Sequence, residues 1–243
     1  MTATDEILAL ATSAGAAVTV TEADVAAFRA LVAEGEGGAA VRALLAARPA
    51  TGSLGQPAGQ PDTPSALASR SPAWTAWLMA AAAATGAAAV AGEADAGERT
   101  AGTPAWCAVF GAAVAVTGPA GGAPPAVAVT AAVTAGLGAA AIVESGLAEW
   151  GGWSPGTVAA AVGAGLTAGL LLGLTGPRLR AAIGICATQA AGLRAAEGTD
   201  AFALQAGKAA FNGVEAALLA RAGFTAPAEP LDGRRGLFAL FGS

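Results

Sequence analysis

The stretch from Ala181 to Arg221, AAIGICATQAAGLRAAEGTDAFALQAGKAAFNGVEAALLAR, carries a small or apolar residue at nearly every turn. That writing suits a helix pair enclosed by other helices rather than an amphipathic helix with one wet face. Gly184, Gly192, Gly207 and Gly213 would each weaken a helix by about 1 kcal/mol relative to alanine, so close backbone approach is expected to compensate. Gly198, Thr199 and Asp200 read as a stop and a fresh N-cap, which divides the stretch into two helices.

The rest of the chain is written the same way. Residues 4–14 predict a short helix, and Thr21-Glu22-Ala23-Asp24 caps a second whose apolar stripe is Val25, Phe28, Leu31 and Val32. Ala39 to Ala47 makes a third. From 48 to 72 the chain turns to Pro, Gly, Ser, Gln and Asp, a loop or arm longer than connections usually run. Apolar helices are expected over Ala73–Val90, Ala105–Thr117, Pro125 to about Glu149, and Gly156–Leu174, with Pro177 opening the next. There is no β-type alternation and no internal repeat, so the class is all-α and residues 1–243 read as one domain with a short tail over 226–243.

Apolar residues make up 55% of the chain and charged ones 12%, with a mean hydropathy of +0.59. Three segments approach the ~20 residues of a bilayer span. They are Ala, Gly and Val with few Leu, Ile or Phe, and no basic clusters flank them, so central bundle helices and not membrane spans are expected. A net charge of −5 and a single lysine, Lys208, argue against nucleic acid. Cys107 and Cys186 read as buried free thiols rather than a disulfide. The chain has no histidine, which excludes the usual zinc sites, and no metal or cofactor is expected. The acidic start, MTATDEILALATSAG, lacks the basic region of an export signal, so a cytoplasmic protein is expected.

The order GI-CATQAAGL, AGKAAFNGVEAALLARAGFTAP, LDGRRGLFALF resembles the MmgE/PrpD family of 2-methylcitrate dehydratases, cis-aconitate decarboxylases and related epimerases. The resemblance is specific from about Gly176 onward and weaker over Thr85 to Pro155. It implies a large antiparallel helical bundle that borders an active site shared with an α/β lid. The chain stops at Ser243, near where that lid would begin, and is expected to correspond to the helical domain alone.

Three places would carry the family's chemistry. In the loop after the Trp74 helix, VAGEADA stands where the family has H-A-x-D-F-D-D, putting Glu93 and Asp95 on two of its acids; Arg99 follows, and Thr103-Pro104 replaces H-P. Two carboxylates on one loop could do acid/base work if burial raises one pKa, or could form a solvated acidic turn neutralised by Arg99. Next, Gly152-Trp153-Ser154-Pro155-Gly156-Thr157 resembles G-F-H-P-T-G-T, with Ser154 for the histidine. Ser154 could donate a hydrogen bond or simply cap the following helix, and Trp153 could wall a pocket. Last, Phe202 and Gln205 replace the Lys and His of K-R-x-H-A-G; Phe202 could equally pack in the core and Gln205 satisfy a backbone group.

A site that loses its cation no longer suits a citrate-like anion, so the family's parent reactions are not expected. Two functions remain open. One is a repurposed lyase, isomerase or cyclase of specialised metabolism, binding a small neutral hydrophobic molecule among Glu93, Asp95, Arg99, Thr103, Trp153, Ser154, Phe202 and Gln205. The other is a non-catalytic scaffold or partner subunit. Under either, a homodimer or a partner chain covering the exposed apolar surface is expected.

Overall fold

The computed structural model describes residues 1–12, 20–47, 71–91, 103–117, 124–147 and 152–241. The expected loop over 48–72 lies outside them, apart from its last two residues. Among the described residues the regular structure is helical: α1 (Ala3–Leu10), α2 (Glu22–Gly35), α3 (Ala39–Ala47), α4 (Pro72–Ala91), α5 (Pro104–Thr117), α6 (Ala126–Gly146), α7 (Pro155–Leu171), α8 (Gly176–Gln189), α9 (Asp200–Arg221) and α10 (Leu237–Phe241). A single 3₁₀ turn, Arg194–Ala196, lies between α8 and α9.

α7 is the axis of the bundle. Every residue from Thr157 to Gly169 is buried, because α5, α6, α8 and α9 surround the helix. Its residues are mostly Ala, Gly and Val, so each side chain contributes little apolar area and the neighbours must come close to bury anything. They do so where glycines face each other. A Cβ on Gly163 would lie 2.6 Å from the Gly136 carbonyl oxygen of α6, and one on Gly136 would lie 2.7 Å from that of Gly163. On the opposite side of α7, a Cβ on Gly213 of α9 would lie 2.6 Å from the Gly165 nitrogen. Bulk comes from an aromatic cluster linking α2 to α5, in which Trp106 sits 4.5 Å from Phe110 and 5.6 Å from Phe28 between ring centroids.

Local signals behave as their chemistry requires. The Thr21 side chain accepts from the Asp24 N–H while the Asp24 carboxylate accepts from Thr21, a complete capping box. Arg180, within the first turns of α8, reaches Asp5 at 2.7 Å and the Ala228 carbonyl at 2.9 Å, tying α1 to the C-terminal segment. That segment packs on its own domain: Leu231 and Leu237 are buried, and Phe238 closes on Gly146. Among the described residues, α6 is the one helix long and apolar enough to cross a membrane, with a mean hydropathy of 2.1 over a window that is 39% buried.

The division of the 181–221 stretch differs from the sequence expectation. α9 does begin at Asp200, but α8 ends at Gln189, well before Gly198. The intervening residues leave the helix because Ala190 is extended and Gly192 takes a φ of 156°, which a side chain would resist. Thr199 holds the N-cap position without a side-chain bond to the helix; its hydroxyl donates instead to the Ala196 carbonyl at 2.6 Å.

Cys107 and Cys186 are free and fully buried. Loss of hydration pushes each thiol from its ordinary 9.0 up to about 12. A thiol whose folded pKa is raised contributes stability that is complete below the unfolded pKa and disappears as pH climbs through the folded one. Between about pH 9 and pH 12 the melting temperature should therefore fall. Near neutral pH a thiol reagent such as DTNB should label neither cysteine until denaturant is added; fast native labelling of either would contradict this burial.

Candidate functional site

A pocket of about 550 Å³ opens between α4, the start of α7, the end of α8 and α9. Its construction begins with two short extended pieces. Trp153 pairs antiparallel with Leu193, held by Arg194 N–H to the Gly152 carbonyl at 2.9 Å and Ser154 N–H to the Gly192 carbonyl at 3.1 Å. In such a pair the N–H and C=O of Leu193 point away from Trp153. The Gln205 side-chain amide takes both: its Oε1 accepts from the Leu193 N–H, and its Nε2 donates to the Leu193 carbonyl at 3.2 Å. Gln205 thus stands in for a third strand and fixes the rim of the pocket to α9. Gly192 is required here, since a Cβ would lie 2.6 Å from the Thr157 Cβ at the base of α7.

The floor comes from Trp77 of α4. Its indole lies against Gly207 and forms edge-on contacts with Trp74 at 4.8 Å and Phe211 at 5.5 Å. Leu204, Gln205, Lys208, Ala209 and Asn212 line the α9 side. Their spacing is that of one helical face, so α9 presents a stripe to the pocket while its other faces pack on α4 and α7. Lys208 holds its ammonium 4.0 Å from the centroid of the Phe211 ring and 5.5 Å from that of Trp77. An ammonium over ring faces is stabilised by the ring quadrupoles.

The structure distributes the sequence-predicted site residues unevenly. Trp153 and Gln205, far apart in the chain, both line the pocket. Ser154 lies directly behind it, 7% exposed and at the N-cap position of α7. Its hydroxyl makes no cap bond to the helix backbone and instead shares a hydrogen bond with Thr157 Oγ1 at 3.0 Å. Phe202 is half-buried on α9 and does not line the pocket. Thr103 is exposed and caps α5, accepting from the Trp106 N–H at 3.3 Å. Glu93, Asp95 and Arg99 lie outside the described residues.

Sequence reasoning missed Trp77, Leu193, Lys208 and Asn212. The α9 members were accessible through their helical spacing from Gln205. Leu193 was not, because its place depends on the Trp153 pairing. Lys208, which was not among the expected site residues, brings an ammonium into the lining. The lysine of the family motif is replaced by Phe202, but a different lysine enters the lining from the next turns of α9.

The family model described as the MmgE/PrpD N-terminal domain matches residues 74–243. No curated protein matches the chain. The matched span runs from the first turn of α4 through α10 and holds every residue that lines the pocket.

Proposed function

The chain belongs to the MmgE/PrpD family, and on that premise we propose that it binds a small, largely apolar metabolite above Trp77 and acts on it as a lyase, isomerase or cyclase. The pocket itself carries this reading: a cavity of a size suited to a small molecule, walled by Trp77, Trp153, Leu193 and Leu204, with few polar groups. Positioning in such a cavity can lower a barrier without many charged groups. The single lysine among these walls does not match the two or three carboxylates of a citrate-like substrate, since most of that charge would be desolvated without a partner. Glu93 and Asp95 are the proposed acid/base pair, on the loop that the family uses for its acids.

The test begins with the ligand. Purified protein is incubated with a metabolite extract, and what stays bound is identified by native mass spectrometry. Turnover of that compound is then measured for Glu93→Gln and Asp95→Asn separately. Loss of a general acid or base should lower kcat by about 10²-fold or more in at least one variant. Full activity in both would remove the carboxylates from the mechanism.

A second reading has its own observation. Trp153, Leu193 and Leu204 are 38%, 53% and 41% exposed, which leaves an apolar rim around the pocket mouth. A scaffold that uses this rim to seat a second copy or a partner chain would show a dimer or complex by light scattering. It would also show no turnover of any retained metabolite.

A further inference from the structure

We propose that Gln205 is a positioning residue for this pocket: its amide pins one wall to another, and ligand affinity depends on that pin even for a ligand that cannot hydrogen-bond. The inference rests on the pocket reading above and names the residue that sets the cavity's shape. The wall in question is the segment 189–193. α8 ends at Gln189 and Ala190 is extended, so the segment has no helix of its own to hold it. Gln189, Ala191, Gly192 and Leu193 nevertheless all line the pocket. Side chains of α9 tie the segment at its two ends. Asn212 Nδ2 donates to the Gln189 carbonyl at 3.0 Å, while the Gln205 amide accepts from the Leu193 N–H and donates to the Leu193 carbonyl. Positions 205 and 212 stand about 10 Å apart on one face of a helix, and four extended residues cover about 13 Å. The segment thus runs along α9, fastened at each end by a carboxamide.

The Gln205 end is the one on which the wall depends most. Leu193 also pairs with Trp153, so the amide places a second wall residue through the first. Gln205 is half-buried at the rim, where water competes for each bond, so the segment keeps its place only while both bonds are made. The chemistry is specific to an amide. One end must accept from an N–H and the other donate to a carbonyl, and glutamine is the side chain of this length that does both without charge. A methionine has the length and the apolar surface but makes neither bond. A carboxylate accepts and cannot donate, whereas a protonated carboxyl does both. Lys208 and Trp77, the donors elsewhere in the lining, cannot take over, because Leu193 N–H needs an acceptor.

Naphthalene is the probe, because it carries no hydrogen-bonding group. Gln205 can act on it only through the wall or as apolar surface, and Gln205→Met retains that surface. In equilibrium dialysis of the full chain, Gln205→Met should bind naphthalene about fivefold or more weakly than wild type, since only molecules with the wall in place are competent. Gln205→Glu should be as weak at about pH 7.5 and return to within about twofold of wild type near pH 4.5. The protonated carboxyl makes both bonds and the carboxylate only one, so the folded chain holds this carboxyl above its ordinary ~4.3, and the pin is restored as pH falls through the raised value. Wild type titrated over the same range subtracts whatever Arg194, Glu197, Asp200 and Lys208 contribute. Variants that bind naphthalene as tightly as wild type at both pH values would overturn the pin and leave the pocket standing. So would a Gln205→Glu protein that stays weak near pH 4.5 while wild type binds. A wild-type chain that binds no naphthalene would overturn the pocket reading, and the pin with it.

Discussion

Gly213→Val is expected to destabilise the protein by roughly 3–5 kcal/mol, at or beyond the upper end of ordinary overpacking. The reason lies in what the new side chain would meet. Even its Cβ would stand 2.6 Å from the Ala164 Cβ and 2.6 Å from the Gly165 nitrogen, with the Ala164 carbonyl carbon at 2.8 Å. Two of those atoms are backbone, which cannot rotate aside as a long side chain can. α9 would have to withdraw from α7, and α7 cannot follow, because Gly163 already presses on Gly136 of α6 from the opposite side. Against a typical domain stability of about 5–15 kcal/mol the loss is large, and at about 2–4 °C per kcal/mol the melting temperature should fall by roughly 6 °C or more. Gly37→Ala is the control: nothing lies within 4 Å of its added Cβ, and stability should be unchanged within about 0.5 kcal/mol. A Gly213→Val protein that melts within two degrees or so of wild type would mean the α7–α9 contact is looser than described.

Trp106→Ala should cost about 3–5 kcal/mol by the opposite mechanism, a cavity. Trp106 is 1% exposed and heads the fully buried side chains by size. It packs against both rings of the Phe28–Phe110 stack, so its removal takes one face of packing from each and weakens the aromatic contact between α2 and α5. Elsewhere the core is mainly alanine and glycine, whose short side chains cannot swing in to fill the void. Chemical denaturation would show a lower midpoint; Trp106→Phe, which keeps one ring in place, should recover a good part of the loss. An alanine variant within about 1 kcal/mol of wild type would place the indole outside the load of the core.

Much of this architecture was legible residue by residue. The Thr21–Asp24 capping box, Asp200 as the start of α9 and the buried character of α7 follow from hydrogen-bonding chemistry and side-chain size within a few residues of chain. The end of α8 was not legible. ATQAAGLRAAEG reads locally as continuing helix, and alanine favours it. The chain leaves the helix there to pair Leu193 with Trp153 and to offer its other edge to Gln205, and local propensity contains no term for that. The candidate site follows the same division. Trp153 and Gln205 stood out through family motifs, whereas Asn212 resembles any polar residue in an apolar helix until its place in the lining and its bond to the Gln189 carbonyl are seen together.

By itself the sequence determined that this chain makes helices, that they are too uniformly apolar to present a wet face, and that their small residues demand close packing. Those properties reside in propensity, size and hydropathy, which each residue carries wherever the chain goes. Only the tertiary structure decided which glycines face each other, that Lys208 reaches the pocket, and that Leu193 pairs with Trp153. These are relations between residues remote in the chain, and the energies that fix them arise only when the helices meet.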